Sequence, residues 1–494
     1  MPPIAAALVP DHATDTNGPR LRSWPGGEAA WLDRATKLSP LSAANRVLRA
    51  LAPADSAGGQ EQLRFGLVVS AVANLGLNVA LVCFNFVTVL LLTHWLGVVG
   101  YGAYAFALAA ATLLAVPAIF GLSPLLIRAI ATYRSTASWG LIRGILRRSN
   151  QAVLISSVIV VGLVLFVLVE VQWPPPRLQT PAGIALLLVP LLALVTIRQS
   201  AMQGLNHTVL GRIPETLVSP TIFILLLALV RLLASQHLTA SAAVAANVLA
   251  LACAMAVGAY TLRRVLPGGV RTARPLYETR DWARQAVPLV LFSGIVTINS
   301  QFDVVLLGAL TGPRDAGIYS VASRIASLVS FFFIAAAIPL MPAIARLYAS
   351  GERTQLERVL AWSARGIFFA SLPLGLAVIV FAQPLMSLFG AGFGGSGPLA
   401  LRILAVGQLV NVATGFAGTA LVMTGHASLL TKGYAIGAAF SVILNAALIP
   451  PFGLIGAAIA TAIGISVINI GVVVILRRRL SINALPFGRL IARN

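Results

Sequence analysis

From Phe65 onward the chain alternates long apolar runs with short stretches rich in Arg, Pro and Gly. A helix needs about 20 apolar residues to cross the roughly 30 Å hydrocarbon core of a bilayer, and these runs meet that length. Their spacing predicts about twelve transmembrane helices, near residues 65–96, 101–123, 150–171, 182–204, 212–234, 240–262, 284–309, 316–344, 361–389, 398–424, 429–450 and 453–476. The predicted fold class is an all-α integral membrane protein. Residues 1–62 show no periodicity and scatter Pro2, Pro3, Pro10, Pro25, Pro40 and Pro53 among small and polar residues, which predicts a disordered tail. Its short apolar stretch at 4–10 has no basic residues before it and is not a signal peptide.

The basic residues orient these spans. All but five of the 35 Lys and Arg residues fall in the tail or in alternate connections, and the exceptions are Arg177, Arg231, Arg314, Arg324 and Arg402. Cytoplasmic loops collect Lys and Arg, so the alternation puts both termini in the cytoplasm and checks the helix count independently. It also accounts for the formal charge of +21, which therefore does not argue for nucleic acid. The composition agrees, with 58% hydrophobic and 10% charged residues. Cys83 and Cys253 lie in separate apolar runs, as small buried hydrophobes rather than as a disulfide or metal pair.

The chain echoes itself. Gly102-Ala-Tyr104 opens one helix and Gly317-Ile-Tyr319 another, each followed by Pro and then Arg, at Arg128 and Arg346. Asn206–His207 leading to Arg212 is matched by Gly425–His426 leading to Lys432. Such echoes predict two bundles of about six helices each, related by a parallel repeat. The halves are expected at 63–265 and 284–480, with a cytoplasmic linker at 266–283 and a C-terminal tail at 481–494.

Few ionisable groups sit within the apolar runs, and each is a functional candidate because a charge in hydrocarbon needs a partner or a water-filled cavity. Asp303 and Arg324 stand about equally far from the turn near 311–316, so they reach similar depth and are expected to pair across a helical hairpin, either as a structural lock or as a substrate or proton-coupling site. Asn299 and Gln301 make that part of the seventh helix polar. Arg198 and Glu215 repeat the geometry around the turn at 206–207, and Arg402 lies at an outer helix end. No Walker loop, zinc spacing or catalytic triad is present, so no enzyme activity and no cofactor are expected, and transport must draw on a substrate or ion gradient.

Several segments, in consistent order over residues 65–480, resemble the polysaccharide (Wzx-type) flippases of the multidrug/oligosaccharidyl-lipid/polysaccharide exporter superfamily. They are Trp95 to Tyr104, Gly121 to Arg128, Gly204 to Glu215, Asp303 to Gly308, Asp315 to Arg324, Gly407-Gln408, Leu444-Asn445 and Ile449 to Gly453. The resemblance implies a bacterial inner-membrane flippase that carries a polyprenyl-diphosphate-linked oligosaccharide between leaflets by alternating access. Its partners would be that lipid-linked oligosaccharide, membrane lipids, and polysaccharide polymerase and export proteins. A lipid II flippase and a cation-coupled multidrug exporter of the same superfamily are the alternatives. A diphosphate needs cations, so Arg324 and Arg402 become candidate ligands and Arg128, Arg346 and Lys432 a candidate cytoplasmic rim, although the orientation rule alone also explains the rim.

Overall fold

The computed structural model describes residues 58–170, 176–233, 238–480 and 482. The chain divides into two units, Met1–Gly66 and Leu67–Asn494, and the site discussed below belongs to the second. Most of the expected N-terminal tail, and the C-terminal tail apart from Ile482, lie outside the described residues; residues 58–62, assigned to the tail on sequence, open the first helix.

Every described element is helical. The first half of the chain holds α1 (Gly58–Ile119), α2 (Leu122–Ser135), α3 (Trp139–Glu170), α4 (Pro176–Ala185), α5 (Leu188–Gly204), α6 (Thr208–Ile213), a π-helical turn at Pro214–Val218, α7 (Ser219–Leu233) and α8 (Ala240–Val265). A short helix, α9 (Gly268–Thr272), leads into the second half. There follow α10 (Thr279–Leu310), α11 (Pro313–Ser327), α12 (Phe331–Ala349), α13 (Arg353–Val380), α14 (Ala382–Ser387), α15 (Gly397–Ala413), α16 (Ala417–Met423) and α17 (Ala427–Leu480).

Among the described residues, eight helices are long and apolar enough to cross a membrane, or nine if the bent pair α15–α16 is one span. This is fewer than the number expected, and two long helices explain part of the gap. The 62 residues of α1 would run about 90 Å if straight, three times the hydrocarbon thickness. Gly97 breaks it with φ 67°, and Gly453 breaks α17 with φ 52°, so each is two helices joined end to end. Glycine reaches this left-handed backbone without the Cβ clash that other residues meet. Both breaks fall where the sequence predicts a short outer connection.

The lipid-facing character is plain on α3, where Leu154, Ile155, Val158, Ile159, Leu163 and Phe166 are all exposed. Apolar side chains need no burial in protein when hydrocarbon is the solvent. Small residues instead mark the close helix contacts. In the first half α5 packs on α2, α3 and α8; in the second, α15 packs on α11, α13 and α17, and α17 also packs on α10. The repeated Gly-x-Tyr segments face one another, since a Cβ on Gly102 would fall 1.6 Å from the Pro313 carbonyl oxygen and one on Gly317 would fall 3.0 Å from the Gly102 Cα. The tyrosines that follow play matching parts. Tyr104 accepts a 2.6 Å hydrogen bond from Asn247 Nδ2, 143 residues on, and Tyr319 hydrogen-bonds Thr461 at 2.7 Å, 142 residues on.

Candidate functional site

The most concentrated polar chemistry inside the apolar helices gathers around Asp303. Its side chain, 7% exposed, leaves α10 toward α11 and α17. Oδ2 accepts from the hydroxyls of Thr461 at 2.6 Å and Tyr319 at 2.8 Å, and Oδ1 accepts from Asn445 Nδ2 at 2.8 Å. A buried carboxyl group held this way by neutral donors, with no fixed cation beside it, is the arrangement expected of a group that takes up and releases a proton or small cation. Asn445 Oδ1 is buried with no partner, as is Asn299 Nδ2 one turn before Asp303. The oxygens at hand are those of one carboxyl group and the Thr461 and Tyr319 hydroxyls, hard atoms that do not suit a soft transition metal. Among the described residues no group of three His, Cys, Asp or Glu side chains could hold a metal.

The ion pair expected between Asp303 and Arg324 is not formed. Depth along the helix matches, but direction does not. Tyr319 points at Asp303, and Arg324, five residues later, projects about 140° further round α11. Arg324 instead lines a cavity of about 560 Å³ together with Cys83, Asn85 and Phe86 of α1, Ser327 of its own helix, and Phe389. The rest of the wall is aliphatic. A single guanidinium set in an apolar cleft between the first helix of one half and α11 of the other offers a planar fork for an anion next to room for hydrocarbon.

Arg198 and Glu215 do pair, at 3.0 Å, across the α5–α6 turn. Arg198 is only 3% exposed, and its Nη2 also donates to the Gly211 carbonyl at 3.2 Å. The guanidinium lies flat against Gly258 of α8, where a Cβ would come within 2.3 Å of it. Glu215 stands in the π-helical turn, a local widening that lets its carboxylate reach back to α5. Of the other candidates, Arg402 is exposed and donates to the Ile379 carbonyl at 3.2 Å, away from Asp303. Gln301 is half-buried, and Arg346 and Lys432 are exposed. Arg128 donates from Nη2 to Gln285 Oε1 at 2.6 Å.

Sequence reading missed a second polar group. Ser330, in a short 3₁₀ segment after α11, donates to Gln408 Oε1 at 2.7 Å; Asn411 Nδ2 reaches the same oxygen at 3.2 Å and Asn469 Nδ2 donates to Asn411 Oδ1 at 3.0 Å. It also missed Thr461 as a partner of Asp303. The available signal was the scarcity of such groups, since Asn445, Thr461 and Asn469 are, with Ser441 and Ser466, the few polar positions in the middle of α17.

A long all-α membrane domain with a cavity between two helix sets and isolated buried polar groups is the architecture of a multi-pass membrane transporter. The profile of the polysaccharide biosynthesis protein family matches residues 68–348, more than half the chain, and the MatE profile matches residues 288–447. The chain belongs to the polysaccharide biosynthesis protein family. It is 27% identical over 169 residues to the probable low-salt glycan biosynthesis flippase Agl15 of Haloferax volcanii, covering 34% of this chain and 36% of that protein. It is 25% identical over 182 residues to the capsular polysaccharide biosynthesis protein CapF of Staphylococcus aureus, covering 36% of this chain and 45% of that protein. The chain thus spans less than half the length of these relatives. In fold it is similar to an inward-facing multidrug resistance MATE family transporter, with TM-score 0.65 and 17% identity over 78% of this chain and 93% of that one. It is also similar to a MOP superfamily transporter from Pyrococcus furiosus, with TM-score 0.61 and 15% identity over 86% and 99% of the two chains.

Proposed function

We propose that this protein is a flippase that moves a polyprenyl-diphosphate-linked oligosaccharide across a bacterial cytoplasmic membrane by alternating access, for polysaccharide assembly outside the cell. The observation that carries this reading is the cavity at Arg324, where one guanidinium faces an apolar cleft. Such a substrate has the matching parts, a diphosphate for the fork and an isoprenoid chain for the aliphatic wall. The relatives named as a glycan biosynthesis flippase and as a capsular polysaccharide biosynthesis protein support the same class of cargo. Asp303 serves as the coupling group in this scheme, and its separation from Arg324 leaves both residues free to act in different steps. Arg198–Glu215 braces the first half, and Arg128, Arg346 and Lys432 form the cytoplasmic rim. Polysaccharide polymerase and export proteins would receive the product. Transport, not catalysis, is the activity.

The test is complementation of a bacterial strain that lacks its own flippase for a lipid-linked repeat unit, with surface polysaccharide as the readout. The wild-type chain restores export. Arg324→Ala abolishes it at equal protein level, and Arg324→Lys restores only part, because a lysine lacks the bidentate fork. Full export by Arg324→Ala would remove the arginine from the substrate site. A cation-coupled multidrug exporter is the second reading, favoured by the match of the MatE profile over the segment that holds Asp303 and Arg324. It predicts that the same chain lowers accumulation of a cationic dye in whole cells and restores no polysaccharide.

A further inference from the structure

The seam between α2 and the first turns of α10 holds a second cleft that the cavity at Arg324 does not include. It is an open cleft of about 470 Å³, lined by Pro124, Leu125 and Arg128 of α2 and by Arg284, Gln285 and Leu289 of α10. Two guanidiniums therefore share one cleft, and no acid lines it. Arg128 is occupied by a neutral acceptor, the Gln285 side-chain oxygen at 2.6 Å. Arg284 has no protein partner among the described residues. Neither Glu278, whose Oε2 accepts from the Tyr133 hydroxyl at 3.0 Å, nor the exposed Asp281, three residues before Arg284, lines the cleft.

The seam is also rigid. A Cβ on Gly121 would fall 2.6 Å from both the Ala286 carbonyl oxygen and the Val290 nitrogen, so the helices touch backbone to backbone. Trp282 Nε1 donates to the Tyr133 hydroxyl at 3.0 Å and ties the start of α10 to the end of α2. The two helices are thus fixed against each other, and the two arginines line one cleft as exposed side chains, at the end of the helices that the basic-residue distribution assigns to the cytoplasm. Helices fixed in advance bring the two charges to one cleft, and a guanidinium short of acceptors offers its fork to an anion.

We infer that Arg128 and Arg284, with Gln285 yielding its place on Arg128, form a receiving site for a phosphate-bearing lipid headgroup, the diphosphate of the transported lipid. The inference rests on the flippase reading and adds to it a docking step at the inner face, before the headgroup reaches Arg324. Two planar forks match the two phosphoryl groups of a diphosphate, and a phospholipid with a single phosphate fills only one of them.

The full chain in nanodiscs, titrated separately with geranylgeranyl diphosphate, phosphatidylglycerol and inorganic pyrophosphate, tests this. The double variant Arg128→Gln/Arg284→Gln is expected to weaken geranylgeranyl diphosphate binding by at least about tenfold, the loss expected from removing charge-assisted bonds. Phosphatidylglycerol binding should change by less than about threefold, one unmatched contact at most, and Arg128→Lys/Arg284→Lys should retain intermediate affinity at an unchanged unfolding temperature. Unchanged diphosphate affinity in the Gln variant overturns the site while leaving the flippase reading intact. An equal loss for phosphatidylglycerol makes the cleft a general phospholipid seat, and a loss confined to inorganic pyrophosphate makes it a site for the free anion; either overturns the assignment. If the wild-type chain binds no diphosphate probe, the flippase reading itself fails and takes the receiving site with it.

Discussion

The regions around Tyr104 and Tyr319 echo each other in their contacts and differ in where they put charge. In each, a Gly-x-Tyr segment opens a helix, the glycines meet across the interface, and the tyrosine bonds a polar residue about 140 positions later. In the second half that tyrosine also donates to Asp303, sixteen residues before it. The residue sixteen places before Tyr104 is Thr88, which is neutral. The second half thus carries a buried carboxylate where the first carries a hydroxyl. The first half has its own charges, a buried Arg198 and a partly exposed Glu215, near a turn rather than mid-helix, and they pair with each other. A closed ion pair suits bracing. A carboxyl group surrounded by neutral donors, with no fixed cation beside it, suits exchange of a small cation or proton.

This contrast breaks most sharply at Asp303. Asp303→Asn keeps the size and most hydrogen bonds but removes the charge, so transport driven by an ion gradient is expected to fall by at least about tenfold while protein level holds. Uptake into vesicles with and without an imposed proton or sodium gradient reads this directly. Gradient-dependent uptake that survives Asp303→Asn would move the coupling site elsewhere. The effect at the first half's pair is smaller for transport and appears as lost stability. Glu215→Ala strands a buried guanidinium and is expected to cost about 3–5 kcal/mol, whereas Arg198→Ala leaves a carboxylate that is 27% exposed and costs less. Thermal unfolding of the two single variants and the double variant measures the order, and an Arg198→Ala loss larger than that of Glu215→Ala would contradict a bracing pair whose arginine is the buried member.

Much of this was legible from the pattern of residues, for physical reasons that also mark its limit. Apolar runs report helices because only a helix satisfies its own backbone in hydrocarbon, and Gly97 and Gly453 report breaks because the left-handed backbone there suits glycine. The Arg198–Glu215 pair was legible because its partners flank a tight turn, which leaves little freedom in how they meet. Asp303 and Arg324 flank a turn as well, and there the same reasoning failed. Distance from a turn fixes height along the helix and leaves direction around it open, and direction is set by helices far away in sequence. Asn445 and Thr461 claim Asp303 from α17, more than 140 residues on, and no local pattern announces them. The Gln408–Asn411–Asn469 group was hidden for the same reason, being assembled across α15 and α17.

The central claim is that a lipid-linked, diphosphate-bearing glycan crosses the membrane through this protein. The most direct measurement reconstitutes the purified chain in vesicles containing a fluorescently labelled polyprenyl-diphosphate oligosaccharide and follows how much label becomes accessible to an impermeant quencher. Wild-type protein is expected to bring the inner-leaflet fraction within reach of the quencher, and Arg324→Ala protein to leave it protected as in protein-free vesicles. Wild-type vesicles that protect the inner-leaflet label as well as protein-free ones do would contradict the account.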